Sequence, residues 1–308
     1  DIHMHLAMVL DPFCILKGLP EHAQHPPLLP LVEAAFATPL MLGFSPYWAL
    51  RLTYLAWEVL LALCFFVVLS SVTQNIRARR VGLACFIAFP MGWMTTVVMP
   101  QDEVIAATFI VAMIALIGRG MILRGLFIGG IGVIAGKIFV VLPLGALVLL
   151  LRQSTLIRRG VAAFALPIAV QIFVQMQQAG QEGLLNFSPA AAFGANLWPL
   201  LMPITGLSPG VALKLTALIA GGISGGVVLA LWVRCRSRGD AGVEFAIRVA
   251  LISMLWVWAI FYHVGTSYFM MTFPLQLLLA RRLLDYGLAF GLATLPWAVN
   301  FFYGVANA

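Results

Sequence analysis

The sequence predicts an all-helical, polytopic membrane protein, and three observations carry that expectation. Hydrophobic residues make up 62% of the chain, charged residues only 9%, and the mean hydropathy is +1.03. Soluble domains sit nearer half apolar and a quarter charged. The apolar residues fall in long runs without the period-two alternation of strands. In hydrocarbon every backbone amide must find an internal partner, so such runs form helices. The basic residues collect in short connections between the runs, where they set orientation. The net charge of +7 therefore does not indicate nucleic-acid binding.

Taken in order, residues 1–46 read as an extracytoplasmic loop with an interfacial helix, and 47–308 as a transmembrane bundle, together one membrane domain. The first thirty residues read as a polar loop holding four of the five histidines. Residues 28–43 are apolar but about 16 long, marginal for a ~30 Å hydrocarbon core. Their flanks, PPLLP and GFSP, mark a helix lying at the surface. Full spans are expected at 47–71, 81–99 (interrupted by Pro90), 104–117, 160–175, 211–233, 245–262, 269–280 and 288–303, about eight in all. Residues 125–151 are apolar, yet arginines bracket them at both ends. A single span would put those brackets on opposite faces, so a hairpin of two short helices broken at Gly136-Lys137 is expected. Broken helices at membrane depth belong where they line protein or a cavity. The chain opens at Asp1 with no apolar run before it, and a further helix is expected to precede it.

Counting fixes the orientation. Fourteen basic residues fall on one side of this arrangement, and Lys17, Arg51, Lys137 and Lys214 on or near the other. The positive-inside bias makes the arginine side cytoplasmic. All five histidines then lie outside, with Asp1, Asp11, Glu21, Glu33, Asp102, Glu103 and Glu182. The polar chemistry faces outward. Cys14, Cys64, Cys85 and Cys235 lie in different segments and imply no disulfide framework.

Several groups are candidates for that chemistry, each with a plainer alternative. Asp1 or Asp11, held over an apolar cavity, would be a general base; otherwise each is a solvated loop acid. Asp102 and Glu103 either complement a helix N-terminus or orient a hydroxyl-rich substrate. Lys137 costs roughly 2.5–3.5 kcal/mol at a helix centre; it either snorkels outward or meets a lipid phosphate. Arg51, just beneath the outer surface, could share that phosphate. His263, between Tyr262 and Tyr268, can donate to a phosphate or sugar oxygen, or shuttle a proton. His3, His5, His22 and His25 lack the spacing of a closed zinc site, so no metal is expected. Glu58, a lone acid on a span, should face the bundle and hydrogen-bond a neighbour.

Several short stretches, in this order and on this side of the membrane, resemble the GT-C membrane glycosyltransferases. Within that group the likeness is to bacterial polyprenol-phosphate-mannose-dependent α-mannosyltransferases. The stretches are DIHMH at Asp1, HPPL at His25, GFSP followed by Arg51, PQDE with Gln101, Asp102 and Glu103, and GKIFVVLP with Lys137. NFSP at Asn186 and YHVGTSY around His263 complete the set. The resemblance implies an extracytoplasmic active site in a bacterial inner membrane that transfers a sugar, expected to be mannose. The donor is a polyprenyl-phosphate sugar, a co-substrate with no further cofactor, and the acceptor a hydroxyl of a glycan or glycolipid. It implies Asp1 as the base, Lys137, His263 and Arg51 at the donor phosphate, and Asp102, Glu103, Gln101, His5 and His25 near the substrate. It also implies inversion by a single displacement. A transporter, or a non-catalytic subunit of a membrane complex on the same fold, are the competing expectations.

Overall fold

A computed structural model describes residues 2–15, 17, 25–98, 100–151, 155–177, 242–260 and 268–306, with isolated positions between 211 and 230. Among the described residues every regular element is a helix. Asp1, His22, His263, nearly all of the outer loop after residue 177 and most of the 211–233 run lie outside them.

The opening stretch is the first departure from expectation. Ile2–Leu10 is a helix, α1, not a loop. Its polar-looking HMH hides an apolar stripe: His5, Met8 and Val9 are buried, the i, i+3, i+4 spacing of one helix face. The following turn also packs inward, with Cys14 and Ile15 buried. Helix α2, Leu29–Leu40, starts on Pro30 near its N-terminus and is the short helix anticipated there. It buries Leu29, Pro30, Glu33, Ala34 and Ala37, so its one charged side chain points inward.

Helix α3, Pro46–Val72, has 27 residues and a span-like composition. Next, α4 (Ile76–Ile87) and α5 (Pro90–Trp93) run on into a π-helical turn at Met94–Val98. The two halves bend by 43° at the break before Pro90, which has no amide hydrogen to continue the ladder. Glu58 of α3 accepts a 2.7 Å hydrogen bond from the Thr96 hydroxyl on that turn. Helices α6 (Glu103–Gly118) and α7 (Ile122–Ala135) then form a hairpin. A 3-10 turn, Ile138–Val140, leads into α8, Val141–Leu150, with the break at Gly136 and Lys137 where it was expected. The rest is α9 (Leu156–Gln177), α10 (Val243–Ile260), α11 (Phe269–Leu279) and α12 (Leu283–Ala306).

The described residues do not support eight full spans. Among the described residues, 46–72 and 156–174 are long and apolar enough to cross alone, and the bent α4–α5 pair makes a third if taken as one. Helices α6, α7 and α11, with 16, 14 and 11 residues, are too short. At 1.5 Å per residue they reach about 16–24 Å, against a hydrocarbon core of ~30 Å. An apolar run measures hydrophobicity, and proline or glycine breaks decide how much of it is one helix.

Two features hold this bundle together. Glycines at 125, 129, 132 and 136 let α7 press against α6, where a methyl on Gly136 would come 2.9 Å from the Ala106 Cα. On the other side Gly130 lies directly against the Ala163 carbonyl of α9. At one end arginines collect the free carbonyls. Arg79 donates to Thr73 O at 2.7 Å, Arg281 to Val72 O at 3.3 Å, and Arg159 to Val148 O at 3.0 Å. Arg281 and Arg248 share Glu244. The C-terminal carbonyls of α3 thus meet cations, the favoured sign at that end of a helix.

Replacing Gly130 by Ala should destabilise the protein by about 1–3 kcal/mol, because the neighbour is backbone and cannot yield. Gly145→Ala, whose added carbon meets nothing within 4 Å, should be neutral or better. Denaturant titration in detergent micelles checks both.

Candidate functional site at the arginine-poor end

At the opposite end, polar side chains from several segments meet below the level at which α3 begins. Tyr54 is the ninth residue of α3, about 12 Å along its axis from Pro46. Its hydroxyl donates to Glu33 Oε1 of α2 in a short hydrogen bond. His5 of α1 approaches the same oxygen with Nδ1 at 2.7 Å, and the Tyr54 oxygen lies 3.2 Å from that nitrogen. Both partners of the Glu33 carboxylate are buried with it.

The second half of the cluster is built on the α6 N-terminus and the α7–α8 break. Lys137 Nζ donates to Asp102 Oδ1 at 2.6 Å and to Glu103 Oε1 at 2.7 Å. Its ammonium also lies 4.7 Å from the centre of the Tyr268 ring, a cation–π distance. Asp102 is the N-cap of α6 but makes no side-chain capping bond. The two acids turn to the lysine instead, while remaining at the α6 N-terminus, where the macrodipole favours them. Backbone geometry makes this arrangement. Lys137 is extended (φ −152°, ψ 142°) between a helix that stops at Gly136 and a 3-10 turn, so its side chain leaves the break instead of an apolar helix face.

His25 joins the halves. Its ring stands edge-on to His5 at 5.4 Å, and its Nδ1 is 3.6 Å from Asp102 Oδ2. That distance is too long for a hydrogen bond, and Nδ1 is buried without one, so the contact is electrostatic only. The Leu28 amide bonds the Ile134 carbonyl at 2.8 Å, tying the segment after His25 to the end of α7.

The electrostatics follow from burial. One ammonium faces two carboxylates. Burial works against ionised Asp102, but Lys137, with His25 and His5, holds its carboxyl below the usual carboxylate range. Asp102 is therefore a fixed anion and a poor general base. For His5 burial disfavours the imidazolium, yet Glu33 outweighs it and leaves the ring's pKa raised. Burial, opposed by Lys137, pushes the Tyr268 phenol up to about 12.

The structure thus brings together His5, His25, Asp102, Glu103 and Lys137. Gln101 is next to them in sequence, its amide donating to Thr95 O at 3.0 Å. Arg51 has another neighbour in the structure: its guanidinium lies 5.3 Å from the Trp48 ring. Asp1 and His263 lie outside the described residues. Lys137 is not the bare cation a phosphate would meet first, since two carboxylates already hold it. His3 and His5 diverge, as i and i+2 positions on a helix must: His3 Nδ1 meets the Tyr47 hydroxyl at 3.0 Å while His5 turns to Glu33. Sequence reasoning passed over Glu33 and Tyr54. The signal was present, since Glu33 is a lone acid in the apolar LPLVEAAFATPL, the same costly placement that singled out Lys137.

No protein-family model, curated protein or solved structure matches the chain. The reading of the site therefore rests on its own geometry.

Lys137→Met leaves two buried carboxylates without a cation and should cost about 3–5 kcal/mol of folding stability. Asp102→Asn and Glu103→Gln added to the same chain should restore most of it, as detergent unfolding would record. The His5–Glu33 pair adds a pH term. Because the folded-state pKa of His5 is raised above its ordinary 6.5, the contribution is complete below that pH. It is lost as pH rises through the folded value. Glu33→Gln should abolish this alkaline decline, which melting curves from pH 5.5 upward would follow.

Proposed function

We propose that the chain is a membrane glycosyltransferase that works at the arginine-poor, extracytoplasmic face with a polyprenyl-phosphate sugar, mannose being the first candidate. The observation that carries this reading is the convergence of His5, His25, Asp102, Glu103 and Lys137. They come from segments up to 132 positions apart in sequence and form one buried cluster recessed from the end of α3. A lipid-borne sugar has its reacting carbon next to the headgroup phosphate, so a site sunk at that depth meets the substrate where it resides.

In this reading the carboxylates of Asp102 and Glu103 accept sugar hydroxyls. Asp1 takes the proton of the acceptor hydroxyl as its oxygen attacks the anomeric carbon. The bond from that carbon to the phosphate oxygen breaks, and its electron pair leaves with the lipid phosphate. One displacement inverts the configuration. Lys137, His5 and His263 stabilise the departing charge, with Lys137 exchanging one carboxylate for the phosphate.

A second reading has a specific observation behind it. Lys137 has its N–H groups engaged by two carboxylates and the Tyr268 ring, as in a polar network whose purpose is structural. That favours a non-catalytic membrane subunit on a similar fold.

Protein reconstituted with polyprenyl-phosphate mannose and an alkyl mannoside should form a product of inverted anomeric configuration. Asp1→Asn should lower kcat by about 10²–10⁴-fold, the range for loss of a general base. Absence of transfer by folded, lipid-replete wild type, across several sugars and acceptors, would leave the structural-subunit reading.

A further inference from the structure

Arg51 is a charge the candidate site does not use. It is the sixth residue of α3 and only half-buried, yet its Nε is fully enclosed without a hydrogen-bond partner. Among the described residues no carboxylate, carbonyl or hydroxyl bonds the guanidinium; its neighbour is the Trp48 ring, 5.3 Å away and one turn nearer the helix start. A helical side chain leans towards the N-terminus of its helix, so the group is directed to the arginine-poor end. Burying an N–H of a charged group with nothing to accept it costs at least about 1–3 kcal/mol. An arginine braced on an aromatic face, with its fork of donors free, has the geometry that planar phosphate recognition needs.

The surface beside it is equally unusual. Every residue of 42–48, the end of the connection from α2 and the first three residues of α3, is exposed. Leu42 is 93% exposed, with Phe44, Tyr47 and Trp48 also open. On the α2 side, Phe36 is exposed while Glu33, the only charged residue of that helix, points inward. This face is apolar outside and charged inside, the pattern of protein against lipid, and its aromatics match the composition of an interfacial belt. An unpaired cation within such a belt sits at the height of headgroup phosphates.

We propose that Arg51 binds the phosphate of an anionic phospholipid of the surrounding leaflet. The Leu42–Trp48 stretch seats the glycerol and upper acyl region of that lipid. Charge complementarity selects the occupant: among the described residues no acid contacts the guanidinium, and the rim beside it is apolar and exposed. The same phosphate chemistry is carried by a polyprenyl-phosphate substrate; the open aromatic surface beside Arg51 assigns it to bulk lipid. The assignment does not depend on the sugar-transfer reading.

Native mass spectrometry of the purified full chain tests this, with phosphatidylglycerol, phosphatidylcholine, decaprenyl phosphate or inorganic phosphate added in turn. Wild type should retain phosphatidylglycerol about tenfold more tightly than phosphatidylcholine, because the choline cation beside the same phosphate is repelled by the guanidinium and cancels the lipid's net charge. Arg51→Gln should remove that preference, Arg51→Lys should keep part of it, and Trp48→Ala should weaken it by freeing the guanidinium. Unchanged melting of the detergent-solubilised variants identifies the loss as local. Equal retention of both phospholipids by wild type, or an undiminished preference in Arg51→Gln, overturns the proposal. So does loss of decaprenyl phosphate binding in Arg51→Gln, which would return the residue to the candidate site. Competition by inorganic phosphate alone would make it a free-anion site and overturn the lipid assignment as well.

Discussion

The ion cluster of Lys137 with Asp102 and Glu103 is the constraint on which the rest of the arginine-poor end depends. An ammonium taken out of water is stable there only with counter-charges and near-ideal hydrogen bonds. The 2.6 and 2.7 Å contacts supply them, and in doing so they pin the end of α7 to the start of α6. The close approach of Gly136 to Ala106 serves the same junction from the backbone side. With that junction fixed, α6 and α7 end short of a hydrocarbon thickness, and the polar groups they carry are sunk below the outset of α3. Helices α1 and α2 then cover the cluster and add a second buried pair, His5 and Glu33, which Tyr54 completes.

Much of this was legible in the sequence, and what was not has physical causes. The broken hairpin at Gly136-Lys137 could be read because arginines bracket the run, and a single crossing would have split them. The Glu58–Thr96 bond followed from the cost of a lone acid in an apolar helix. Helix α1 was hidden because its buried face includes His5, a residue whose polarity masks an otherwise regular stripe. The span count exceeded what the described residues support because apolar composition alone does not give length, and helices such as α6 and α11 stop at 16 and 11 residues. The pairing of Lys137 with acids more than thirty positions earlier is a tertiary fact with no local signature. Hence the residue types were identified, but which of them neutralise one another was not.

The charge balance of the cluster separates two kinds of protein. A catalyst for phosphate departure needs positive charge available to the leaving group, whereas a structural network consumes its charges internally. In this chain Lys137 is held by two anions, His5 is held protonatable by Glu33, and His25 stands between them with Nδ1 buried and unbonded. A phosphate entering this site would relieve the His25 nitrogen and draw Lys137 from one of its carboxylates. The same cluster therefore serves transfer if ligand can reach it, and serves stability alone if it cannot.

Access is what decides between them. A polyprenyl phosphate carrying a photoreactive group beside the phosphate, activated in proteoliposomes and mapped by peptide mass spectrometry, measures it directly. Labelling concentrated on the segments around His25, Asp102 and Lys137, and removed by excess unlabelled polyprenyl-phosphate sugar, is the predicted result. Labelling spread over the lipid-facing residues of α3 and α9, with those segments untouched, would contradict the account.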